Sequence, residues 1–131
     1  MESTNKAINK IVLDTNMLLS ALEFKVDLFS EINALLPGRK VFFVPGQVMQ
    51  ELNALGRHKK LALRVNIIKD LLENNKVRLL EIKALNADAA LLKAAEQNYF
   101  VATNDKELKK RVKQVNGSVL FLRKKKFVEL D

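Results

Sequence analysis

Short apolar runs alternate with amphipathic stretches along the 131-residue chain, which points to an α/β fold: a three-layer α/β/α sandwich around a central parallel sheet. Two observations carry this reading. The apolar runs are brief and rich in Val, Ile or Phe, as in strands covered on both faces. The stretches between them repeat apolar residues at helical spacing and close on Gly, Pro or Asn. With 48% hydrophobic residues, no internal repeat and no linker-like segment, residues 1–131 are expected to form one domain.

The first expected strand is Lys10 to Asp14, built on the unbroken run Ile11-Val12-Leu13. Val26 to Leu36 reads as a helix closed by Pro37-Gly38, and Val41 to Val44 as the next strand. Gln47 to Leu55 is a helix stopped by Gly56. Lys59 to Asn74 follows, with Leu61, Val65, Ile68 and Leu72 at helical spacing. Val77 to Ile82 is a strand, Asp88 to Asn98 a helix, Tyr99 to Thr103 a strand, and Asp105 to Val115 a helix ended near Asn116-Gly117. Val119 to Arg123 and a short run near Phe127 to Leu130 complete the strands.

Composition removes several kinds of chemistry. There is no cysteine, so disulfides and thiolate metal sites are excluded. One histidine, His58, rules out a zinc site built on two imidazoles and supplies Ser/His/Asp arrangements poorly. The four glycines form neither of the nucleotide-binding loop patterns. Phosphotransfer that needs a second Asp two residues after the first meets Asn16 instead. No apolar stretch approaches the roughly 20 residues of a membrane span, and Met1 to Lys10 lacks the apolar core of a signal peptide. A cytoplasmic protein with no membrane partner is expected, or a nuclear one in a nucleated cell.

The net charge is +8, and its placement is uneven. A basic C-terminal segment, residues 106–126, holds nine Lys or Arg against one acid, Glu107, and so carries all of the net charge. Arg57, His58, Lys59, Lys60 and Arg64 form a smaller cluster. Basic clusters suit a polyanion gripped by its phosphates. A solvated Lys-rich helix face with a basic tail explains the same pattern. Aromatic residues are few and lie mostly in apolar runs, so base stacking is not evident.

Four acids stand out. Asp14 ends the first apolar run. Asp88 shares a helix face with Leu91, Leu92 and Ala95, Asp105 with Leu108 and Val112, and Glu51 with Val48 and Leu55. Carboxylates that lean inward cost free energy unless paired or bound to a cation. In a parallel sheet, all four would lie near the carboxyl ends of strands, where ligands bind. Hard oxygen donors favour Mg²⁺ or Mn²⁺. Each acid also has a structural reading. Asp105 beside Asn104 and Glu107 suits a helix cap, Asn86 would cap the next helix with Asp88 in its first turn, Asp14 would cap a segment from Thr15, and Glu51 would be a solvated helix residue.

Val12-Leu13-Asp14-Thr15-Asn16, Val48-Met49-Gln50-Glu51-Leu52, Asp88-Ala89-Ala90-Leu91-Leu92 and Val101 to Leu108 together resemble the PIN-domain nucleases, over roughly Ile11 to Leu130. Gly56 to Arg64 and Thr103 to Arg111 are similar to the branch that processes small-subunit ribosomal RNA, in an archaeal-type form without that branch's Cys/His zinc motif. The resemblance implies that Asp14, Glu51, Asp88 and Asp105 form a catalytic pocket holding Mg²⁺ or Mn²⁺. Asn16 and Thr103 would orient ligands or waters. Arg57, Lys59, Lys60, Arg64, Lys109, Lys110 and Arg111 would contact RNA phosphates. The activity it implies is endonucleolytic cleavage of RNA, with an rRNA precursor as substrate, ribosome-assembly proteins as partners, and a homodimer as the assembly. Two other functions share these residues: a toxin ribonuclease paired with an antitoxin, and a non-catalytic RNA-binding assembly factor.

Overall fold

The run Ile11-Val12-Leu13 becomes the middle of a six-stranded sheet, fully buried because helices cover the sheet on both sides. The computed structural model describes residues 8–131. The expected absence of a leader at Met1 to Lys10 lies, for residues 1–7, outside them. The elements run β1 (Ile8–Leu13), α1 (Thr15–Glu23), α2 (Leu28–Leu35), β2 (Arg39–Pro45), α3 (Gly46–Leu55), α4 (Lys59–Asn74), β3 (Arg78–Leu80), α5 (Ala87–Glu96), β4 (Phe100–Ala102), α6 (Lys106–Gln114), β5 (Ser118–Arg123) and β6 (Phe127–Leu130).

The strands lie in the order β3-β2-β1-β4-β5-β6. From β1 the chain winds outward through β2 to β3, then crosses back to insert β4 on the other side of β1. Every pairing is parallel except that of β5 with β6. The direction of winding therefore reverses between β1 and β4, and such a switch point opens a crevice above the strands' carboxyl ends. Helix α1 packs on α4, and α5 packs on α6. The core joins Ile11 and Leu13 to Met17, Ile32, Leu52, Ile68, Leu91, Leu108 and Leu120.

Three expectations change. Helix α1, foreshadowed only as a segment from Thr15 that Asp14 would cap, has no span among the expected helices, because β1 passes into it through the single residue Asp14 and no turn residues mark the boundary. The strand expected over Val77 to Ile82 shortens to β3, an edge strand on which Leu79 is half exposed. A lone edge position gives little reason for either face to be covered. The sheet is also not wholly parallel: β6 returns antiparallel through a hairpin in which Lys124 and Lys125 take φ of 53° and 58°, closed by the Lys126 N–H donating to the Arg123 carbonyl at 3.0 Å. The outer side of β6 is shielded where the Val128 N–H donates to Glu31 Oε1 from α2.

Two successive left-handed residues form the mirror-image turn that suits hairpins, and lysine bears a steric cost there that Asn and Gly largely escape. The double change Lys124→Asn with Lys125→Gly should raise stability by about 1 kcal/mol, after losing the Lys125 contact with the Phe24 ring, and a urea-unfolding midpoint would show it.

Candidate active site

Asp14 closes β1 in extended conformation and occupies the N-cap position of α1, yet its side chain caps nothing. The carboxylate instead turns across the switch point to β4. There the Thr103 hydroxyl donates to Asp14 Oδ2 at 2.6 Å, and the same hydroxyl oxygen accepts from the Asp105 N–H at 3.1 Å. Backbone bonds set this approach: the Asp14 N–H donates to the Ala102 carbonyl, and the Thr103 N–H to that of Leu120. Asp14 is 4% exposed and Thr103 is fully buried.

Glu51 projects from α3 and accepts a hydrogen bond from the Thr15 hydroxyl at 2.7 Å. Asp88 sits in the first turn of α5, which Asn86 caps by accepting from the Ala89 N–H. Asp14, Glu51 and Asp88 line one cleft of about 370 Å³, together with Thr15, Asn16, Ala54, Leu55 and His58. Asp105 does not line it. Its Oδ1 accepts from the Glu107 and Leu108 N–H groups and caps α6, so the capping reading holds for Asp105 but not for Asp14. Asn104, the other capping candidate, instead accepts from the Leu122 N–H.

The expected inward lean of the acids is corrected: only Asp14 is buried, Asp105 is partly covered, and Glu51 and Asp88 are exposed. Both helices rise from the sheet's carboxyl edge, so their acids stand at the rim of the cleft while Leu52 and Leu91 reach the core. Among the described residues, no three His, Cys, Asp or Glu side chains come close enough together to hold an ion between them.

Burial, the largest influence, pushes the Asp14 carboxyl up from its usual 3.8 to about 6. The Thr103 hydrogen bond opposes that rise, the negative charges of Asp88 and Glu51 add to it, and the backbone bond from Thr15 lowers it. Among the described residues, the salt bridges involve none of the four acids. The negative charge of the cleft therefore has no salt-bridge partner among the described residues.

Next to the cleft lies a groove of about 680 Å³ lined by Leu55, His58, Lys59, Lys60, Leu61 and Arg64. Leu55 and His58 belong to both. Arg57 is exposed outside this lining. On α6, Lys109 is less free than expected: it pairs with Asp131 at 3.0 Å and stands 4.1 Å above the Phe121 ring, while Lys110 and Arg111 carry no such partner among the described residues. Sequence reasoning missed Thr15 and Gln47, polar residues at the starts of helices whose partners lie more than 30 positions away.

Asp14 at the carboxyl end of β1, with Glu51 from α3 and Asp88 from α5, lines the crevice at the switch point of a doubly wound nuclease fold. The chain belongs to the PIN-domain family: the family described as "PIN like domain" matches residues 11–125. Members of this family are generally nucleases. The chain is 34% identical to Ribonuclease VapC4 of Methanocaldococcus jannaschii, over 92% of this chain and 95% of that one. It is also 34% identical to the rRNA-processing protein fcf1 of Schizosaccharomyces pombe, over 82% of this chain but only 55% of that longer protein. The solved structure of the PIN domain endonuclease Utp24 superposes with a TM-score of 0.74 and 28% identity, covering 92% of this chain and 90% of that one.

Because Asp14 titrates near 6 rather than 3.8, the folded protein holds this proton more tightly than the unfolded chain does. That contribution to stability is complete below about pH 4 and is lost as pH rises through 6, to the extent of about 3 kcal/mol. Without added metal, Asp14→Asn should therefore melt higher than wild type at pH 8, with the gap closing at pH 5. Carboxyl titration by NMR gives a second check. Thr103→Val should move the Asp14 transition above 6, and Thr103→Ser should leave it in place.

Proposed function

We propose that this protein is a metal-dependent endoribonuclease that hydrolyses RNA phosphodiesters in ribosomal RNA processing in the cytoplasm. The observation that carries the reading is the buried Asp14 carboxylate, facing Glu51 and Asp88 with no salt-bridge partner among the described residues and opening onto a basic groove. The ribosomal assignment draws on the similarity to fcf1 and Utp24, and assembly proteins would be its partners.

The donor set is all oxygen and carries net negative charge, which fits Mg²⁺ or Mn²⁺. Asp14 would be the central ligand, with Glu51 and Asp88 from the rim. Asp105 would contribute the oxygen that does not cap α6. When bound, the metal neutralises charge on the phosphate and makes an attacking water more acidic. The protein's own residues do the rest. Thr103 fixes the Asp14 carboxylate in one orientation, and Thr15 does the same for Glu51. Asn16 stands exposed at the cleft wall, within reach of a ligand or water. His58, Lys59, Lys60 and Arg64 would hold phosphates flanking the cleavage point, with Arg57 beside them. Lys110 and Arg111, joined by Lys109 if it leaves Asp131, would anchor RNA farther away. In-line attack by water would leave a 3′-hydroxyl and a 5′-phosphate.

A second reading has its own support: the similarity to VapC4 spans nearly all of that protein. There the same chemistry would serve as a toxin restrained by an antitoxin. Growth arrest when this chain is expressed alone, relieved by the product of a neighbouring small reading frame, would favour it.

The deciding experiment is cleavage of labelled structured RNA, including rRNA precursors. Wild type with Mn²⁺ should cut and yield 5′-phosphate ends. EDTA, Asp14→Asn or Asp105→Asn should each lower the rate by on the order of 100-fold or more while leaving RNA binding in place. Binding without cleavage in every arm would instead favour an RNA-binding assembly factor, and a 2′,3′-cyclic phosphate end would exclude the proposed attack.

A further inference from the structure

Between β3 and α5 the chain crosses residues 81–85, a connection that forms no backbone–backbone turn or loop hydrogen bond among the described residues. It leads directly to the Asn86 cap and Asp88, so its position decides where Asp88 stands. Side chains hold it instead. Gln47 Nε2 donates to the Ile82 carbonyl at 2.9 Å and to the Ala84 carbonyl at 3.1 Å. Lys93 Nζ donates to the Lys83 carbonyl at 2.6 Å, from an exposed and long side chain that loses much rotamer freedom to do so.

Gln47 lies in the first turn of α3, and Glu51 follows four residues later, one helical turn along the same face. The two bonds from one amide thus clamp the helix bearing Glu51 to the connection that places Asp88. Gln47 also makes a sacrifice. Its Oε1 is buried with no hydrogen-bond partner, the sole such side-chain atom among the described residues. An unmet buried acceptor is a cost to stability that Leu or Met at this place would avoid. Both loop partners are carbonyls, so only the amide's N–H₂ end can face them, and the oxygen is left where it is.

We infer that Gln47 is a positioning residue for the cleft: it sets the separation of Glu51 and Asp88 and so controls how tightly the acids take up a divalent cation. The inference rests on the metal-dependent reading above. A role in loop packing alone would change stability and leave cation affinity untouched, and that difference is measurable.

The full chain is tested as wild type, Gln47→Leu and Gln47→Lys, the last keeping a donor of similar reach. Each is titrated with MnCl₂ alone, followed by calorimetry and by the rise in melting temperature, and metal-free melting is recorded alongside. Gln47→Leu should bind Mn²⁺ roughly 10-fold more weakly, and Gln47→Lys should recover most of the loss. Cleavage should show the matching pattern: a higher Mn²⁺ requirement for Gln47→Leu, with a rate close to wild type at saturation. Wild-type Mn²⁺ affinity in Gln47→Leu, or equal impairment of both variants, would overturn the inference. Should Gln47→Leu fail to fold, Gln47→Glu removes the donor at constant size and carries the same expectation and the same overturning result. A wild type that ignores Mn²⁺ as completely as Asp14→Asn defeats the metal reading itself, and this inference with it.

Discussion

A carboxylate taken out of water at the reversal point of the sheet governs the rest of this structure. β1 is the strand from which the chain winds both ways, so its second half, Ile11 to Leu13, is covered on every side, and Asp14, which follows it, is covered too. Desolvation there penalises charge on Asp14, and one short hydrogen bond from Thr103 only partly offsets that penalty. Thr103 can reach it because β4 lies directly beside β1, with Leu13 opposite Ala102. Thr103 is in turn oriented by the backbone of Asp105, whose side chain starts α6. The local order of β1, β4 and α6 thus follows from accommodating one acid.

The electrostatic layout extends from that centre. Glu51 and Asp88, at the rim, raise the cost of ionising Asp14 further, and water screens them there because they are exposed. A ring of like charges with no salt-bridge partner among the described residues is tolerable only near solvent and is well suited to a cation. The positive charge lies close by yet separate. At the start of α4, Lys59, Lys60 and Arg64 border the cleft through His58 and Leu55. The larger basic reserve on α6 is partly occupied, since Asp131 draws Lys109 and Lys113 toward the end of β6.

Much of the fold was legible because periodicity reports burial. The unbroken runs at β1 and β2 and the Leu61, Val65, Ile68, Leu72 spacing of α4 found their elements to within a few residues. Helix α1 was hidden, since nothing punctuates a strand that turns into a helix within one residue. The acids themselves were visible as polar residues beside apolar ones, but their depth was not. Periodicity assigns a face, whereas exposure also depends on height along the strand axis, and that height separates buried Asp14 from exposed Asp88. Thr15 and Gln47 escaped notice for a related reason: a short polar side chain at a helix start looks like ordinary helix initiation until its distant partner is known.

The bond between Thr103 and Asp14 joins residues 89 positions apart, and β4 lies between β1 and β5, with β2 and β3 on the far side of β1. The crevice is therefore closed across a long loop rather than assembled locally. While the chain is still emerging from the ribosome, Asp14, Glu51 and Asp88 are already made but have no strand β4 to gather around. The nascent polypeptide carries most of the acidic residues without the pocket until β4 has been made.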